Sequence, residues 1–351
     1  MKKKVFALVL VLSLIALTGL WAGGGRERDA APEDRQVTVA FVSNGPYTFW
    51  TYAHAGVIRA EQQFGVNVEF YKPPSATLEE QVRFIETMMA RGIDGLAISV
   101  IDPVNMTPFL DDIGADIPVV TFDSDAPDSV RRAYVGMSNY AAGRLAGEKV
   151  REALPNGGNV MLFVGRMDAQ NAIERRQGII DELKGEPFSS TFPGQTSPAG
   201  RVAAGAWTIL DTRTDGGDES RAKANVEDSL VRHGADIDLM IGLWSYNTPA
   251  IISAVEDAGL LGAIQIIGFD EEEVVLQGIR DGYVRGTVVQ NPFEYGRKSV
   301  ELLTMLATGQ DPGIPQDKLV DVPARFITNV EVDDYARTLA SQLAVGEFFE
   351  Q

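Results

Sequence analysis

The sequence predicts an α/β protein built from two doubly wound parallel-sheet lobes. Beyond Val37, short runs rich in β-branched residues alternate with longer segments of helical periodicity, which is the pattern of βαβ units and mostly parallel sheets. The alternation occurs in two successive series, and 351 residues exceed what one simple core accommodates. Runs such as "IPVVTF" and "IQIIGF" are apolar throughout, as expected of parallel strands buried on both faces.

The first series begins with the alternating, strand-like run "VTVAFV". Its predicted strands are "VTVAFV", "VNVEFY", "GLAIS", "IPVVTF" and "AYVG", and its predicted helices lie near 49–64, 78–91 and 105–113. The second series has strands in "NVMLFV", "WTIL", "LMIGL" and "IQIIGF", with helices near 139–154, 171–184, 220–233, 249–258 and 272–281. A strand in "GTVVQNPF" and a helix near 293–308 follow. Helices of this length between strands indicate crossover connections and therefore parallel pairing.

The N-terminus predicts export. Lys2, Lys3 and Lys4 precede the uncharged apolar run "VFALVLVLSLIALTGLWA", and small residues follow in "AGGG". This order is typical of a secretory signal peptide, which we place at 1–22 with cleavage after Ala22. A membrane anchor is the alternative, because the run reaches about the 18 residues at which a spanning helix becomes possible. Residues 23–36 are small, charged and contain proline, so we expect a linker.

The composition limits the classes of function. The formal net charge of −18 argues against nucleic acid or an anionic membrane surface as a partner. The sequence contains no cysteine, which excludes disulfides, thiolate metal sites and cysteine nucleophiles. It also excludes lipidation of a cysteine at the cleavage site. We therefore expect a mature protein that is freely soluble in the periplasm.

The motifs of catalysis are missing from the sequence. There is no GxSxG nucleophile elbow, no HExxH motif, and no GxGxxG after the first strand. The segment "GRLAGEK" (143–149) does not have phosphate-loop spacing, and we interpret it as small residues on a packed helix. The two histidines, His54 and His233, lie far apart within helical patterns. We expect no catalytic residue, no metal and no cofactor.

Polar and aromatic residues follow the predicted strands, at the edge where open α/β sheets bind ligands. They are Ser43 with the turn "NGPYTFW", Ser99, Asp102, Asp123, Arg166, Asp168, Asn171, Trp244, Tyr246, Asn247, Asp270, Gln290 and Asn291. Each alone is an ordinary loop residue. Together they predict a polar cleft with aromatic walls between the two lobes.

The order of these features resembles the ribose/galactose type of periplasmic sugar-binding protein that serves ABC transporters. The matching segments are "TVAFVSNGPYTFW", "RGIDGLAISVIDP", "IPVVTFDSD", "YVGMSNYAAGRLAGE", "NAIERRQGI", "WSYNTPAI", "IIGFDEEEVVLQGIRDGYVRGTVVQNPFEYG" and "FITNV". The resemblance covers roughly residues 37–330. No single segment is specific, whereas eight in the correct order behind a secretory signal are.

The resemblance implies a clamp of two lobes joined by three hinge strands. By analogy the crossings lie near Gly136 to Asn139, near Gln290 to Pro292 and near Pro323. The N-terminal lobe would then comprise residues 37–137 and 291–322. The C-terminal lobe would comprise residues 138–290 and 323–345.

The resemblance also implies roles for individual residues. Phe49 and Trp50 match a pair that stacks on the faces of a sugar ring, and Tyr47 lies in the same turn. Capping of the first helix by these aromatics, or their packing against the lobe, is the alternative. Asp123 and Asp270 match carboxylates that accept hydrogen bonds from sugar hydroxyls, with capping of the following helix as the alternative. Gln290 matches a hinge-side amide, Ser43 and Ser99 are further strand-end candidates, and either Trp244 or Asn247 is expected to face the cleft.

The sequence departs from the ribose-binding pattern at two positions. Ser124 and Ile173 stand where arginines are common in that family. Asp168, Asn171 or Arg175 would compensate, although Arg175 is equally compatible with a structural role. The segment 185–205 is longer and richer in Pro, Gly and Ser than a minimal βαβ connection, which indicates a surface insertion.

The predicted function is therefore binding rather than catalysis. The protein would capture a neutral sugar or polyol between its lobes and deliver it to an ABC-transporter permease in the inner membrane. The alternative is a receptor subunit of the same fold that reports a sugar-like signal to a membrane sensor. A chemoreceptor or sensor kinase is a possible further partner. The sequence leaves the identity of the sugar and the oligomeric state open.

Overall fold

The computed structural model describes residues 35–190 and 192–347, with side chains through residue 345. The predicted signal peptide and all but the last two residues of the predicted linker lie outside the described residues. Among the described residues, no helix has the length and apolar character needed to cross a bilayer. The same residues contain no cluster of three or more metal-ligating His, Asp or Glu side chains.

The first sheet has six parallel strands in the order β12-β5-β4-β3-β1-β2. Its strands are β1 (Thr38–Val42), β2 (Asn67–Tyr71), β3 (Gly95–Ile98), β4 (Val119–Phe122), β5 (Ala133–Gly136) and β12 (Leu319–Asp321). The helices that pack on it are α1 (Phe49–Phe64), α2 (Leu78–Ala90), α3 (Pro103–Gly114) and α9 (Pro292–Ala307). Because successive strand residues point to opposite faces, Val39 and Phe41 face α1 and α9, whereas Ala40 and Val42 face α2 and α3.

The second sheet has seven strands in the order β13-β11-β10-β9-β6-β8-β7. They are β6 (Gly158–Val164), β7 (Val202–Ala204), β8 (Trp207–Thr214), β9 (Leu239–Gly242), β10 (Gln265–Phe269), β11 (Gly286–Val289) and β13 (Arg325–Ile327). Only the edge strands β7 and β13 pair in the antiparallel sense. Helices α4 (Asn139–Ala153) and α5 (Gln170–Lys184) cover one face. The other face is covered by α6 (Glu219–His233), α7 (Asn247–Asp257), α8 (Glu273–Asp281) and α10 (Val332–Glu347).

The chain passes between the two sheets three times. It leaves the first sheet after β5, returns from β11 to α9, and leaves again between β12 and β13. Helix α9 completes the core of the first sheet, where Tyr295 and Leu303 join the cluster that contains Phe41. The predicted fold class, two doubly wound lobes of parallel sheet, is confirmed.

Helix ends follow local sequence signals. The side chains of Thr77, Asp102, Ser138, Asp218 and Asn291 each accept a hydrogen bond from a backbone N–H in the first turn of their helix. These are the residue types preferred at helix N-caps. Asp102 and Asn291, two of the residues that follow predicted strands, therefore serve as helix caps.

The segment 185–205 is tied to the second lobe at several points. Arg176 donates to the carbonyl oxygens of Thr196 (2.8 Å) and Ser197 (2.9 Å), and the Thr196 N–H donates to Gln177 Oε1 (2.6 Å). Strand β7, which the sequence did not predict, extends the sheet edge by antiparallel pairing with β8. The segment thus adds an edge strand to the sheet.

Candidate functional site

A cavity with about 310 Å³ of empty space lies at the carboxyl ends of strands from both sheets. Its lining residues are Asn44, Tyr47, Phe49, Trp50, Asp123, Asn171, Arg175, Trp244, Ser245, Tyr246, Asp270 and Gln290. The structure therefore brings together eight of the twelve residues predicted from the sequence. Asn44, Tyr246 and Arg175 line it as well: the first two lie at the predicted strand ends, and the sequence left Arg175 between a ligand role and a structural one. Ser245 also lines the cavity and was not predicted.

Asp123 and Asp270 occupy equivalent positions in the two lobes. Asp123 follows β4 and Asp270 follows β10, and both have left-handed backbone conformations, with φ of 57° and 68°. Such a conformation is uncommon outside glycine and tends to persist at functional sites. Neither side chain caps a helix. The cap position of α8 is Glu272, which makes no side-chain capping bond, and β5 rather than a helix follows Asp123. The capping alternative is therefore wrong.

The Asp123 carboxylate is held by groups from both lobes. Its Oδ2 accepts hydrogen bonds from Ser99 Oγ (3.1 Å) and Asn171 Nδ2 (3.4 Å), and its Oδ1 lies 3.6 Å from Arg175 Nη2. Burial raises the pKa of Asp123, while the Arg175 charge and the hydrogen bonds oppose that rise. The carboxylate is therefore oriented and still reaches the cavity.

The Asp270 carboxylate is bound to the hinge-side amide. Gln290 Nε2 donates to Asp270 Oδ1 (2.7 Å), and Gln290 Oε1 accepts from Tyr295 Oη (3.0 Å). Burial raises the pKa of Asp270 to about 7, and the negative charge of Asp123 adds to the rise, whereas Arg175 and Gln290 lower it. The amide orientation of Gln290 is thus set by its two partners, and one Asp270 oxygen remains for a ligand.

Arg175 is the cation of the cavity. It is 1% exposed, donates through Nε to Asn139 Oδ1 (2.8 Å) and through Nη1 to the Leu243 carbonyl oxygen (2.7 Å), and lies 4.9 Å from the centre of the Phe269 ring. Its Nη2 has no hydrogen-bond partner among the described residues. Because a buried unpaired donor is costly, Nη2 is a natural donor to a ligand oxygen. Arg175 therefore makes structural contacts and also lines the cavity, which is the position that a ligand role would require.

Close helix packing positions Arg175. A Cβ atom on Gly143 of α4 would lie 2.1 Å from the Arg175 carbonyl oxygen, and one on Gly178 of α5 would lie 2.2 Å from the Tyr140 carbonyl oxygen. Only glycines allow the two helix backbones to approach this closely. The interpretation of "GRLAGEK" as small residues on a packed helix is confirmed.

Aromatic rings form the walls. Trp50 donates through Nε1 to Asn44 Oδ1 (3.1 Å), and the Phe49 and Trp50 rings meet edge to face at 4.8 Å. Both are also nearly buried in the core of the first lobe, so cavity lining and lobe packing are not exclusive. From the first lobe Tyr47 stacks on Tyr246 of the second lobe, with ring centres 5.1 Å apart.

Trp244 forms the remaining wall in the second lobe. Its Nε1 donates to Asn171 Oδ1 (3.2 Å), and its ring lies 6.2 Å from that of Tyr246. A Cβ atom on Gly165 would lie 1.9 Å from the Trp244 ring, so the ring rests directly on this glycine. Of the pair Trp244 and Asn247, it is Trp244 that faces the cavity.

Four predicted residues lie outside the cavity lining. Asp168 is exposed and forms a bidentate pair with Arg166, at 2.8 and 2.6 Å. Asn247 is fully buried, accepts from the Trp244 N–H and donates to Asp215. Ser43 donates to the Gly45 carbonyl oxygen within the turn, and Ser99 supports Asp123 from behind. Sequence position at a strand end does not say which way a side chain points.

The comparisons with known proteins agree with this architecture. Residues 38–311 match the family described as periplasmic binding protein domain. The D-ribose/D-allose-binding protein of Pseudomonas aeruginosa is 24% identical over 256 residues, covering 71% of this chain and 74% of the relative. The xylose/arabinose-binding protein of Sulfolobus acidocaldarius is 23% identical over 320 residues, covering 87% and 73%.

A solved structure shows the same fold. The ABC transporter solute-binding protein of Burkholderia graminis, in complex with D-arabinose, superimposes with a TM-score of 0.76 and 27% identity, covering 86% of this chain and 99% of that one. The family match extends over more than half of the chain and includes strands from both sheets. The chain therefore belongs to the periplasmic binding protein family.

Proposed function

We propose that this protein is an extracytoplasmic binding protein of an ABC importer that captures a neutral sugar or polyol between its two lobes. The observation that carries the proposal is the cavity in which the carboxylates of Asp123 and Asp270 and the guanidinium of Arg175 converge beside aromatic walls. Family membership implies a location outside the cytoplasm. Relatives and a solved neighbour bear the names of ribose, allose, xylose and arabinose binders.

The cavity suits the amphipathic character of a sugar ring. The C–H faces of such a ring match the flat apolar surfaces of Phe49 and Trp50, and its hydroxyl edge matches carboxylates and amides. Charge-assisted hydrogen bonds to Asp123 and Asp270 are of the stronger kind. An anionic ligand would meet two carboxylates and a single guanidinium, and their repulsion grows as the closed cleft excludes water. A neutral ligand is therefore favoured.

Closure follows from the contribution of both lobes. Asp123 and the Phe49–Trp50 pair come from the first sheet and its helices, whereas Arg175 and Asp270 come from the second. A ligand that contacts both sets stabilises the closed form and shifts the population toward it. We place the first lobe at 37–137 and 291–322 and the second at 138–290 and 323–345. The membership of β12 and β13 in different sheets supports this division.

Delivery to a membrane permease completes the proposal, and no chemical change of the sugar is part of it. The alternative, a receptor subunit that reports the sugar to a membrane sensor, uses the same cavity. The two functions differ in the protein partner. A binding measurement of the liganded protein with a permease and with a sensor domain therefore distinguishes transport from signalling.

Isothermal titration calorimetry tests the ligand class. We expect at least one of D-ribose, D-arabinose, D-xylose, D-allose and D-galactose to bind, and D-ribose 5-phosphate and D-galacturonate not to bind. The Asp123→Asn variant should weaken the binding of the neutral sugar, whereas Asp257→Asn, at an exposed Asp257–Lys223 pair, is the matched control. Tight binding of the phosphate or the sugar acid would contradict the proposal.

A further inference from the structure

A second compartment adjoins the sugar cavity. It is the smaller of the two spaces, and the two share Asn44, Tyr47 and Trp244 as a common wall. Its own lining includes Val100 and Ile101 from the first lobe. We call it the side compartment. The side compartment therefore lies next to the sugar cavity, on the other side of these three residues.

The lining of the side compartment differs in chemistry from that of the sugar cavity. Val100, Ile101 and Ala169 contribute apolar side chains, and Gly216 contributes backbone. None of the carboxylates of the sugar cavity reaches it. Its lining contains one charged residue among those described, Arg166, whose guanidinium is already bound in bidentate fashion by a carboxylate. A charged group placed here would lose its hydration without gaining a free counter-charge, which is costly.

Contacts within and between the lobes hold the residues of the common wall. The Trp244 ring rests on Gly165 and is bound to Asn171. The Tyr47 hydroxyl lies 3.5 Å from the Gly217 carbonyl oxygen, and a Cβ atom on Gly217 would lie 2.9 Å from that hydroxyl. Gly217 also has a left-handed φ of 86°, so it is glycine for reasons of both conformation and space.

We propose that the side compartment binds an uncharged, largely apolar substituent of a few carbon atoms carried by the sugar, so that the protein accepts glycosides or chain-extended sugars as well as free monosaccharides. This inference rests on the proposed sugar-binding function. The rings of Tyr47 and Trp244 divide the two spaces, and the substituent would pass along their edges. Apolar walls then favour a longer substituent because each buried methylene improves affinity by up to about fourfold.

The test compares free sugars with their alkyl glycosides by calorimetry. D-Ribose, D-arabinose and D-galactose are each measured beside their methyl and propyl glycosides in both anomeric forms. We expect one anomer of the propyl glycoside of a sugar that binds to equal or exceed the free sugar in affinity. The other anomer should bind at least tenfold more weakly, because its substituent points away from the compartment.

Variants of Ile101 assign the effect to the side compartment. Ile101 is 5% exposed and lines only this space of the two. Ile101→Phe should reduce the affinity ratio of propyl glycoside to free sugar by at least tenfold, and Ile101→Ala should leave room for a butyl glycoside. Ile113→Ala, a buried isoleucine of the same lobe outside both spaces, is the matched control and should leave the ratio unchanged.

The outcomes separate the two proposals. Rejection of every propyl glycoside in both anomeric forms, together with binding of a free sugar, overturns the side-compartment proposal and leaves the sugar-binding function intact. The side-compartment proposal is also overturned if Ile101→Ala and Ile101→Phe leave the affinity ratio of propyl glycoside to free sugar unchanged. Failure of all free sugars and all glycosides to bind overturns the proposed function and this inference together. If Ile101→Phe does not fold, the Ile101→Ala ratio decides.

Discussion

Asp270→Asn should make the ligand-free protein more stable and its sugar binding weaker. The left-handed φ of 68° at this position is tolerated by asparagine better than by alanine, so the change removes the charge with little backbone strain. The carboxylate is 3% exposed, and its Oδ1 accepts from Gln290. An asparagine retains one acceptor oxygen, which isolates the effect of the charge.

The expected magnitude follows from the pKa of Asp270, which burial raises from 3.8 to about 7. Because one pKa unit corresponds to about 1.4 kcal/mol, ionising the group in the closed protein costs on the order of 4 kcal/mol. The folded protein binds this proton more tightly than the unfolded chain, so wild-type stability falls as the pH rises from about 4 through about 7. Opening of the cleft hydrates the group, so we expect a gain of roughly 1–4 kcal/mol at pH 8 and almost none at pH 4.

Sugar affinity should change in the opposite direction. At pH 8, where Asp270 is ionised, a charge-assisted hydrogen bond to a ligand hydroxyl is replaced by a neutral one, which should cost about 2–3 kcal/mol, or roughly 30- to 150-fold in Kd. Urea unfolding at pH 4 and pH 8 measures the stability, and calorimetry with the identified sugar measures Kd. Asp257→Asn is the control for both. Unchanged affinity together with lower stability at pH 8 would refute the reasoning and remove Asp270 from the site.

Three further predictions concern other parts of the molecule. Glu271→Gln should raise the free energy of unfolding at pH 8 by about 1 kcal/mol or more, and much less near pH 4.5. The reason is that burial raises the pKa of Glu271 well above its ordinary value, and its Oε1 has no hydrogen-bond partner in the described part of the chain. Equal urea midpoints for variant and wild type at pH 8 would contradict this. Arg175→Lys should lower the free energy of unfolding by about 2–4 kcal/mol, since an ammonium does not reproduce the bonds to Asn139 and Leu243. An unchanged urea midpoint would argue against a structural role for Arg175. Mass spectrometry of a periplasmic extract should find a mature chain that begins near Gly23, and intact residues 1–22 there would disprove cleavage.

Local patterns were sufficient for the main elements and for eight of the twelve residues that line the cavity. The helices predicted near 49–64, 139–154 and 171–184 agree with α1, α4 and α5 to within one residue at each end. Asp123 and Asp270 could be found because parallel strands end at a common edge, so a carboxylate directly after an apolar run is placed there by chain direction alone. The aromatic turn after β1 was found in the same way.

Short or irregular elements escaped the sequence analysis. Strands β7, β12 and β13 contain three residues each, too few to show a period of two. Their pairing depends on the neighbouring strand, β8, β5 or β11, rather than on their own sequence. The assignment of β12 and β13 to different sheets is likewise a property of the folded chain.

By itself, the sequence determined that two lobes of parallel sheet form and which strand ends carry acidic and aromatic side chains. The reason is that the spacing of apolar residues and the direction of the chain are local properties. Only the tertiary structure decided where the side chains point. Asp168 and Asn171 are three residues apart, yet Asp168 is exposed to solvent and paired with Arg166, whereas Asn171 faces the cavity. Arg175 reaches the cavity from the interior of α5 because glycines let α4 and α5 approach, a contact between distant segments that no local pattern contains.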